Sequence, residues 1–390
     1  MPFSETHLPA KIRVPPAAEI RDPHLTPTEP RGQIEAESFP HSLSTPCMTI
    51  PQGQQQMPVC VGCGSKYVVR KGKRRNRLRT LQLFQCRECE HKFTGDPGRN
   101  RTYPLKLILD AISTYNLGHS LAETQRILRQ RARLDIPEGT IRSWLGAYRP
   151  LTTYVRLRSI CREMFSPDAL IVSRELNHKQ VYRFQLHRAK LEILLEPPAH
   201  QRFSPLRRYF TSIDHGFPHH LFQASEHRSS SFPAEINPSV ARKENHATRM
   251  AALALPTAPT NKKRHDTLQR FMLVNDSVTV SVEVPVYLTR EDIAYYRARG
   301  FDLTFESSVI TGHIDFLQIR NGYVHILDYK PEARKEKHAH VQLTIYALAL
   351  SRRAGLPLKD FKCAWFDEKD YFEFFPLKGV YRPEAKVSNN

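Results

Sequence analysis

The segment from His313 to Lys330 carries two aspartates in a pattern that can bind a divalent cation. Asn321-Gly322 separates two apolar runs, and this dipeptide favours a type I′ turn because both central positions of that turn have positive φ. A two-residue turn fixes the register of the hairpin, which sets Asp315 directly opposite Asp328. Opposed side chains of a hairpin have Cβ atoms about 4.5 to 5.5 Å apart. The pattern therefore predicts two neighbouring carboxylates.

Side chains alternate along a strand, so the register also predicts which residues share a face of this hairpin. One face is predicted to carry both acids and the lysine that follows them, with aliphatic neighbours: Asp315, Leu317, Ile319, Val324, Ile326, Asp328 and Lys330. The opposite face is predicted to carry Ile314, Phe316, Leu327 and Tyr329.

Two acids that face each other on an aliphatic surface repel each other and require a cation. Mg²⁺ is typically held by one or two carboxylates together with phosphate oxygens and water, an arrangement suited to phosphodiester hydrolysis. Lys330 can orient the attacking water or stabilise the charge that builds up on the phosphate. The alternative is that Lys330 only neutralises an acid pair that faces solvent at a strand end.

Spaced features of this region resemble the RecB-like branch of the PD-(D/E)XK nuclease superfamily. They are Gly312, Asp315, the triplet Asp328-Tyr329-Lys330, Gln342 and Tyr346. The resemblance covers roughly residues 260–376. It implies a restriction-endonuclease-like αβββαβ domain, expected here at residues 256–378, with strands at Phe361–Phe366 and Tyr371–Phe375 completing its core.

The resemblance also implies roles for single residues. Asp315 and Asp328 would ligate Mg²⁺ or Mn²⁺ with help from the Tyr329 carbonyl, and Lys330 would act on the water. Catalysis would further involve two residues that line the DNA cleft, Gln342 and Tyr346.

Many RecB-like nucleases have a histidine metal ligand on a helix before the sheet. His265 is the first candidate for that ligand here, and His246 is the second. The third alternative is that neither histidine is a metal ligand. Glu283, on the following strand, belongs either to the site or to a surface face. Some relatives hold an iron–sulfur cluster through four cysteines, but outside the front of the chain only Cys161 and Cys363 remain, so no such cluster is predicted.

The charge of the chain favours a polyanionic partner. The net charge of the 390 residues is +19, and between Cys60 and Pro150 there are 19 Lys or Arg residues against 7 Asp or Glu. Such a concentration of positive charge is typical of a module that binds nucleic acid. A chain of this length has room for two or three domains.

The N-terminus has no apolar segment of signal-peptide length, and no 18 apolar residues are consecutive. A soluble, cytoplasmic protein without a membrane partner is therefore predicted, and self-association into a homo-oligomer is left open. The number of cysteines is seven, and four of them lie in two CxxC pairs. This favours metal binding in a reducing compartment over disulfides.

The two pairs, Cys60/Cys63 and Cys86/Cys89, are separated by 22 residues. Each CxxC turn can present two thiolates to one Zn²⁺, and a hairpin between the turns closes a tetrahedral, structural site. Strand-like residues 67–69 and 81–85 flank a basic tip, which predicts a zinc ribbon at 59–96. The tip supplies candidate DNA contacts, which are Lys73, Arg74, Arg75 and Arg77.

Three helices are predicted after the ribbon, within residues 103–150. The first begins at Pro104, has an apolar face that extends to Ile112, and ends at Gly118. The second begins with a capping box formed by Ser120 and Glu123. The third has an apolar face around Trp144 and a polar, basic face that includes three candidate DNA contacts: Thr140, Arg142 and Ser143. This pattern predicts a helix-turn-helix unit; a plain three-helix bundle is the alternative.

The run from Cys60 to about Arg149 resembles the N-terminal DNA-binding part of insertion-sequence transposases, which implies DNA recognition without supplying a catalytic core. The predicted fold class is thus multidomain α+β: a zinc ribbon and a helical helix-turn-helix unit, followed by the nuclease-like domain. Residues 1–58, with 11 of the 29 prolines, are predicted to be a disordered leader. Residues 151–255 are predicted to be a helical linker region, helical for instance at 181–195 and 205–213, with a loop at about 225–238.

Together these observations predict a DNA-binding, metal-dependent nuclease connected with a mobile element or with DNA processing. A DNA-binding regulator with an inactive nuclease fold is the alternative, and RNA is a further possible target. The adjacent His219 and His220 are interpreted as surface or packing residues rather than metal ligands.

Overall fold

The computed structural model describes residues 57–58, 60, 63, 65–75, 80–94, 102–198, 200–225 and 227–381. The predicted leader lies outside the described residues except for its last two positions, and so does Arg77.

The front of the described chain forms a small antiparallel sheet. Its strands are β1 (Val68–Arg75), β2 (Thr80–Cys86) and β3 (Lys92–Thr94), in that spatial order. The predicted hairpin is therefore present, and its first strand extends into the basic tip. Its small core consists of Cys60, Val68, Phe84, Cys86 and Phe93.

Three helices follow: α1 (Leu105–Asn116), α2 (Leu121–Ala132) and α3 (Glu138–Tyr148). At the start of α2, Glu123 N donates to Ser120 Oγ at 3.1 Å, and Ser120 N donates to Glu123 Oε2 at 2.7 Å. The predicted capping box is thus formed. Gly118 has a φ of 108°, as expected for a residue that ends a helix.

The larger sheet has nine strands within the described ranges. In chain order they are β4 (Ile171–His178), β5 (Gln180–His187), β6 (His227–Arg228), β7 (Ala241–Arg242), β8 (Thr279–Thr289), β9 (Val309–Arg320), β10 (Tyr323–Tyr329), β11 (Phe361–Phe366) and β12 (Tyr371–Phe374). Their spatial order is β4-β5-β8-β9-β10-β11-β12-β7, and β6 pairs with β9.

The later helices cover both faces of this sheet. They are α4 (Arg158–Met164), α5 (Arg188–Leu195), α6 (Pro205–Asp214), α7 (His220–Ala224), α8 (His246–Ala254), α9 (Arg264–Asn275), α10 (Arg290–Arg297), α11 (Ala339–Ala354) and α12 (Leu377–Val380). Helix α11 connects β10 to β11, and this crossover lets the two strands pair in parallel. The order α9-β8-α10-β9-β10-α11-β11 contains the predicted αβββαβ succession, with the short helix α10 inserted between its first two strands.

Helix α1 packs on the larger sheet's helical layer as well as on its neighbours α2 and α3. Its predicted apolar face, which includes Ile108 and Ile112, shares a hydrophobic cluster with residues of α8 and α9 such as Met250 and Leu268. A second face, with Leu107, packs against α2 and α3. Helix α1 therefore belongs to two hydrophobic cores, which sequence periodicity did not indicate.

This packing predicts that Ile112→Ala is strongly destabilising, because the Ile112 side chain is completely buried where α1 packs on α8 and α9. We expect a loss of about 2 to 5 kcal/mol in the free energy of unfolding, measured by urea denaturation. Ile160→Ala is the control, since Ile160 is 48% exposed and should cost much less. An unchanged main unfolding transition in Ile112→Ala would contradict the shared core.

The prediction of helices between residues 151 and 255 was only partly right. Residues 205–214 are helical, but residues 180–187 form strand β5 rather than the first half of a helix. Tyr182, Phe184 and Leu186 alternate with polar residues, and β5 pairs with both β4 and β8. This segment is therefore a strand, and the region predicted as a linker contributes four strands to the sheet, which are β4, β5, β6 and β7.

Candidate active site

The hairpin of β9 and β10 has the predicted turn and register. Asn321 and Gly322 have φ values of 51° and 75°, as a type I′ turn requires. Pairing runs from Tyr323 with Arg320 to Leu327 with Phe316, and the next positions in this register are those of the two acids.

Asp315 and Asp328 are both buried at the end of the hairpin, with 8% and 2% of their surface exposed. One oxygen of Asp315, Oδ2, accepts a hydrogen bond of 3.0 Å from the backbone N–H of Tyr329. This hydrogen bond holds the Asp315 carboxylate of β9 against β10, the strand that carries Asp328.

Lys330 connects Asp328 to helix α11. Its Nζ lies 2.8 Å from Asp328 Oδ2 and donates a hydrogen bond of 3.0 Å to Gln342 Oε1. Gln342 in turn donates from Nε2 to the Tyr346 hydroxyl at 2.8 Å. One turn of α11 therefore places the predicted Gln and Tyr at the acids.

Helix α9 brings two further side chains to the same place. His265 Nδ1 is 3.3 Å from Asp315 Oδ2, and Gln269, one turn later, donates from Nε2 to Glu283 Oε1 at 2.7 Å. Glu283 lies on β8 and lines the same cleft as both acids. Of the two open alternatives for Glu283, the structure therefore favours a position in the site over one on the surface.

Strand β8 is irregular at Glu283, whose φ of 52° is unusual for a residue with a side chain. Regular pairing with β9 holds on both sides of this position, at Val282 with Phe316 and at Val284 with Ile314. Phe316 packs in one hydrophobic cluster and Ile314 in the other. These two residues were predicted to share a face, but they pack in different clusters beside the irregular position of β8.

The cleft around the acids has a volume of about 270 Å³. Besides the residues already described, it is lined by side chains that the motifs did not indicate, contributed by β4, β5, α7, β6 and the segment after β6: His178, Tyr182, Phe222, Arg228, Ser229 and Ser230. All six come from residues 151–255, the region predicted as a linker. No local sequence signal marks them, because only the sheet topology brings them to the acids.

The structure does not bring His246 to this cleft. Its Nε2 lies 2.9 Å from the carbonyl oxygen of Leu151, and its Nδ1 lies 3.3 Å from an Arg249 nitrogen. Of the two predicted histidines, His265 is the one beside the acids.

Burial and mutual repulsion set the protonation of the site. Burial, reinforced by the Asp315 charge, raises the pKa of Asp328 to about 7. Burial also opposes ionisation of Asp315, but the neighbouring His265 outweighs it and holds the pKa of Asp315 below its usual value. Burial lowers the pKa of His265, but the Asp315 charge outweighs burial and raises this pKa to about 9. The pKa of Glu283 rises to about 8, chiefly through burial. Acids whose pKa values are driven apart in this way are typical of functional sites.

A family model supports this reading of the site. The model of the PD-(D/E)XK nuclease superfamily matches residues 218–376. Members of that superfamily are generally nucleases that hydrolyse phosphodiester bonds, and their fold generally uses divalent metals. The match includes the β9–β10 hairpin and α11, and it begins before β6. No match to a curated protein or to a solved structure was found.

The side chains of the site suit a hard divalent cation. The donors nearest the hairpin end are carboxylate oxygens, which Mg²⁺ and Mn²⁺ prefer. Asp328 Oδ2 accepts no well-directed hydrogen bond, although the Lys330 ammonium lies beside it. In this structure His265 contacts Asp315 and Lys330 contacts Asp328. The two carboxylates would exchange these contacts for the ion. Asp315 and Asp328 are the residues that would hold it.

Gly312 is required by the packing of Tyr346. A Cβ built on Gly312 would lie 2.2 Å from Tyr346 Cε1 and 2.5 Å from Ser229 Oγ. We therefore expect Gly312→Ala to displace Tyr346, to lower any cleavage rate at least about 10-fold and to cost about 1 to 3 kcal/mol of stability. Single-turnover kinetics and thermal unfolding measure these effects.

Gly146→Ala is the matched control for Gly312→Ala, because a Cβ on Gly146 meets nothing within 4 Å and the residue lies inside α3. That change should leave stability unchanged or slightly higher. Equal behaviour of the two variants would contradict the packing role of Gly312.

The four cysteines of the front sheet converge. Their sulfur atoms all lie within 4.8 Å of one another, with Cys60 to Cys89 at 3.5 Å and Cys63 to Cys86 at 3.6 Å. Sulfurs about 3.8 Å apart surround a tetrahedral zinc ion with Zn–S bonds of about 2.3 Å. In the described part of the chain this is the one group of three or more potential ligand atoms at such mutual distances. The cluster could therefore bind zinc.

Replacing one of these cysteines is expected to remove zinc from the protein. Cys86 is completely buried in the small core, so Cys86→Ser should lower the zinc content from about one ion per chain to nearly none and unfold the three-stranded sheet. Elemental analysis and hydrogen exchange measure this. Cys161→Ala, outside the cluster, is the control; zinc retained by Cys86→Ser would contradict the site.

The candidate DNA contacts of the front part have different exposures. Three of them are exposed on β1, namely Lys73, Arg74 and Arg75. On α3, Arg142 and Ser143 are exposed and Thr140 is half-buried. Their role as DNA contacts stays a prediction. Trp144 is half-buried and packs edge-on against Tyr103, at 5.1 Å between ring centroids. The family match does not extend to these residues, so their resemblance to transposases also stays a prediction.

None of the helices that the structure describes has the length and apolar character needed to cross a membrane.

Proposed function

We propose that this protein is a metal-dependent nuclease that binds DNA and hydrolyses its phosphodiester bonds. The observation that carries the proposal is the pair of buried, neighbouring acids, Asp315 and Asp328, with Lys330 at 2.8 Å from the second. The superfamily match over residues 218–376 supports it independently.

In this proposal Asp315 and Asp328 hold the cation, with the Tyr329 carbonyl as a further oxygen ligand. When bound, Mg²⁺ or Mn²⁺ polarises a phosphate oxygen and lowers the pKa of a water molecule. His265, already 3.3 Å from Asp315, is either a ligand or a partner that fixes this acid. Glu283 adds a carboxylate to the same cleft.

The other side chains act on the substrate. Lys330 is positioned to stabilise negative charge on the phosphate or to orient the water, and Gln342 holds its ammonium group at 3.0 Å. Gln342 and Tyr346 line the cleft where the nucleic acid strand enters.

The front part of the chain is proposed to hold the DNA. A structural Zn²⁺ in the cysteine cluster would stabilise the basic hairpin, and α3 would contact a groove through Arg142 and its neighbours. Together with the resemblance to insertion-sequence transposases, this suggests a role with a mobile element or in DNA processing.

The test is a cleavage assay on supercoiled plasmid, linear duplex, single-stranded DNA and RNA, with Mg²⁺, with Mn²⁺ and with a chelator. We expect cutting of DNA that depends on the divalent ion. Binding of DNA without any cutting would favour the alternative, a regulator with an inactive nuclease fold. Cutting of RNA alone would replace DNA as the substrate.

A further inference from the structure

A short segment outside the nuclease motifs lines the cleft beside the acids. Strand β6 pairs in parallel with the first half of β9, where Arg228 lies opposite Thr311. Thr311 precedes Asp315 by four residues on the same strand. The two serines that follow Arg228 also line the cleft.

The charge of Arg228 distinguishes it from the other cations of the cleft. Lys330 lies 2.8 Å from the Asp328 carboxylate, and His265 lies 3.3 Å from that of Asp315. Across the ranges that the structure describes, Arg228 forms no such ion pair within 4.0 Å. Its guanidinium group is therefore available to an anion that enters the cleft.

Stacked rings line the cleft together with Arg228. The His313 ring stacks on Tyr182 with centroids 3.6 Å apart, and the His178 ring stacks on Phe222 at 3.8 Å. A hydrogen bond of 2.9 Å joins the two imidazoles. Burial lowers the pKa of His178 to about 4, so this ring carries no charge at neutral pH. Among the described residues that line the cleft, Arg228 is the one that carries a guanidinium group.

Ser229 offers a second polar group at the same position. It is only 3% exposed, and its hydroxyl lies beside that of Tyr346 without a well-directed hydrogen bond. A serine hydroxyl that lines a cleft can rotate to donate to an oxygen of a ligand.

We propose that Arg228, together with Ser229, forms a phosphate-binding subsite that holds a phosphate of the nucleic acid next to the scissile one. The proposal rests on the nuclease function proposed above. Guanidinium groups bind phosphate oxygens in a bidentate manner, so the subsite would orient the strand as well as attract it. Metal binding by the acids does not depend on it.

The test uses Arg228→Ala and Arg228→Lys in the full chain, with Arg290→Ala as a control that removes one exposed positive charge away from the cleft. Affinity for labelled oligonucleotides is measured in an Asp328→Asn background, which prevents cleavage, over a range of salt concentrations. Single-turnover cleavage is measured in the otherwise unchanged chain, and Mn²⁺ binding and thermal unfolding are measured for every variant.

We expect Arg228→Ala to weaken binding at least about 10-fold and to reduce the slope of log K against log salt by about one, the change expected for one lost phosphate contact. Arg228→Lys should recover part of the affinity, and Mn²⁺ binding should stay unchanged. Loss of Mn²⁺ binding or of the fold in Arg228→Ala would instead indicate a structural role and would overturn the subsite.

Failure of the subsite and failure of the nuclease proposal give different results. If Arg228→Ala binds and cuts like Arg290→Ala, the subsite is wrong while the nuclease function stands. If the wild type neither binds nor cuts any nucleic acid, both are wrong.

Discussion

Replacing Asp328 by asparagine is expected to lower the single-turnover cleavage rate by more than about 10³-fold, which corresponds to about 4 kcal/mol of transition-state stabilisation. The amide keeps the shape of the side chain and can still accept a hydrogen bond from Lys330. It removes the negative charge that would hold the metal ion between Asp315 and Asp328. A stopped-flow or quench assay at saturating Mg²⁺ measures the effect.

The same variant should not be less stable than the wild type. Burial and the Asp315 charge raise the pKa of Asp328 to about 7, above its ordinary value of 3.8. A group whose pKa is higher in the folded state favours folding less as the pH rises from about 4 to 7. Asp328→Asn lacks this effect, so its stability relative to the wild type should increase over that range, as urea denaturation at several pH values can show.

Asp302→Asn is the control for Asp328→Asn, because Asp302 is exposed and does not line the cleft. It should change neither the cleavage rate nor the stability. If Asp328→Asn cut at the wild-type rate, Asp328 could not be a metal ligand. If it lost activity together with several kcal/mol of stability, loss of the fold would be the simpler explanation.

Replacing Lys330 by methionine is expected to lower the cleavage rate by about 10² to 10³-fold while metal binding persists. Methionine keeps most of the length of the side chain but removes the ammonium group that lies beside Asp328 and Gln342. The loss should therefore appear in the chemical step, measured at saturating DNA and Mg²⁺, rather than in the affinity for Mn²⁺.

Lys359→Met is the matched control, since Lys359 is exposed on the turn before β11. Its cleavage rate should equal that of the wild type. If Lys330→Met cut normally, Lys330 would only neutralise the acid pair. Lower stability of the variant is expected in either case, because Asp328 loses its cationic partner, so the cleavage rate is the measurement that separates the two.

Local sequence signals were sufficient where a few adjacent residues decide the structure. Asn321-Gly322 fixes the turn of the hairpin, and the turn alone sets the register that brings Asp315 and Asp328 together. The same is true of α2, whose first turn is set by Ser120 and Glu123. For this reason the acids and the helix bounds could be predicted without knowledge of the rest of the fold.

Features that depend on long-range pairing could not be predicted. The alternation of Tyr182, Phe184 and Leu186 with polar residues is a local strand signal, but it does not indicate that β5 pairs with β4 and β8. Arg228 reaches the cleft only because β6 pairs with β9. The positive φ of Glu283 arises in the middle of a strand, where no glycine or turn signal marks it.

The position of α1 shows a related limit. Periodicity correctly identified the face that carries Ile108 and Ile112, but it could not identify the surface that this face contacts. The face packs on α8 and α9, and Asn116 of α1 donates from Nδ2 to Asn275 Oδ1 of α9 at 2.8 Å. The helical unit proposed to bind DNA thus contacts the helix that carries His265.

The most direct test of the metal site is a crystal soaked in Mn²⁺, with anomalous diffraction used to locate the ion. The neighbouring acids predict an anomalous peak between the carboxylates of Asp315 and Asp328, and they predict its absence in Asp328→Asn crystals under the same conditions. A map with no peak there, in which Asp315 stays bound to His265 and Asp328 to Lys330, would contradict the metal-dependent nuclease site.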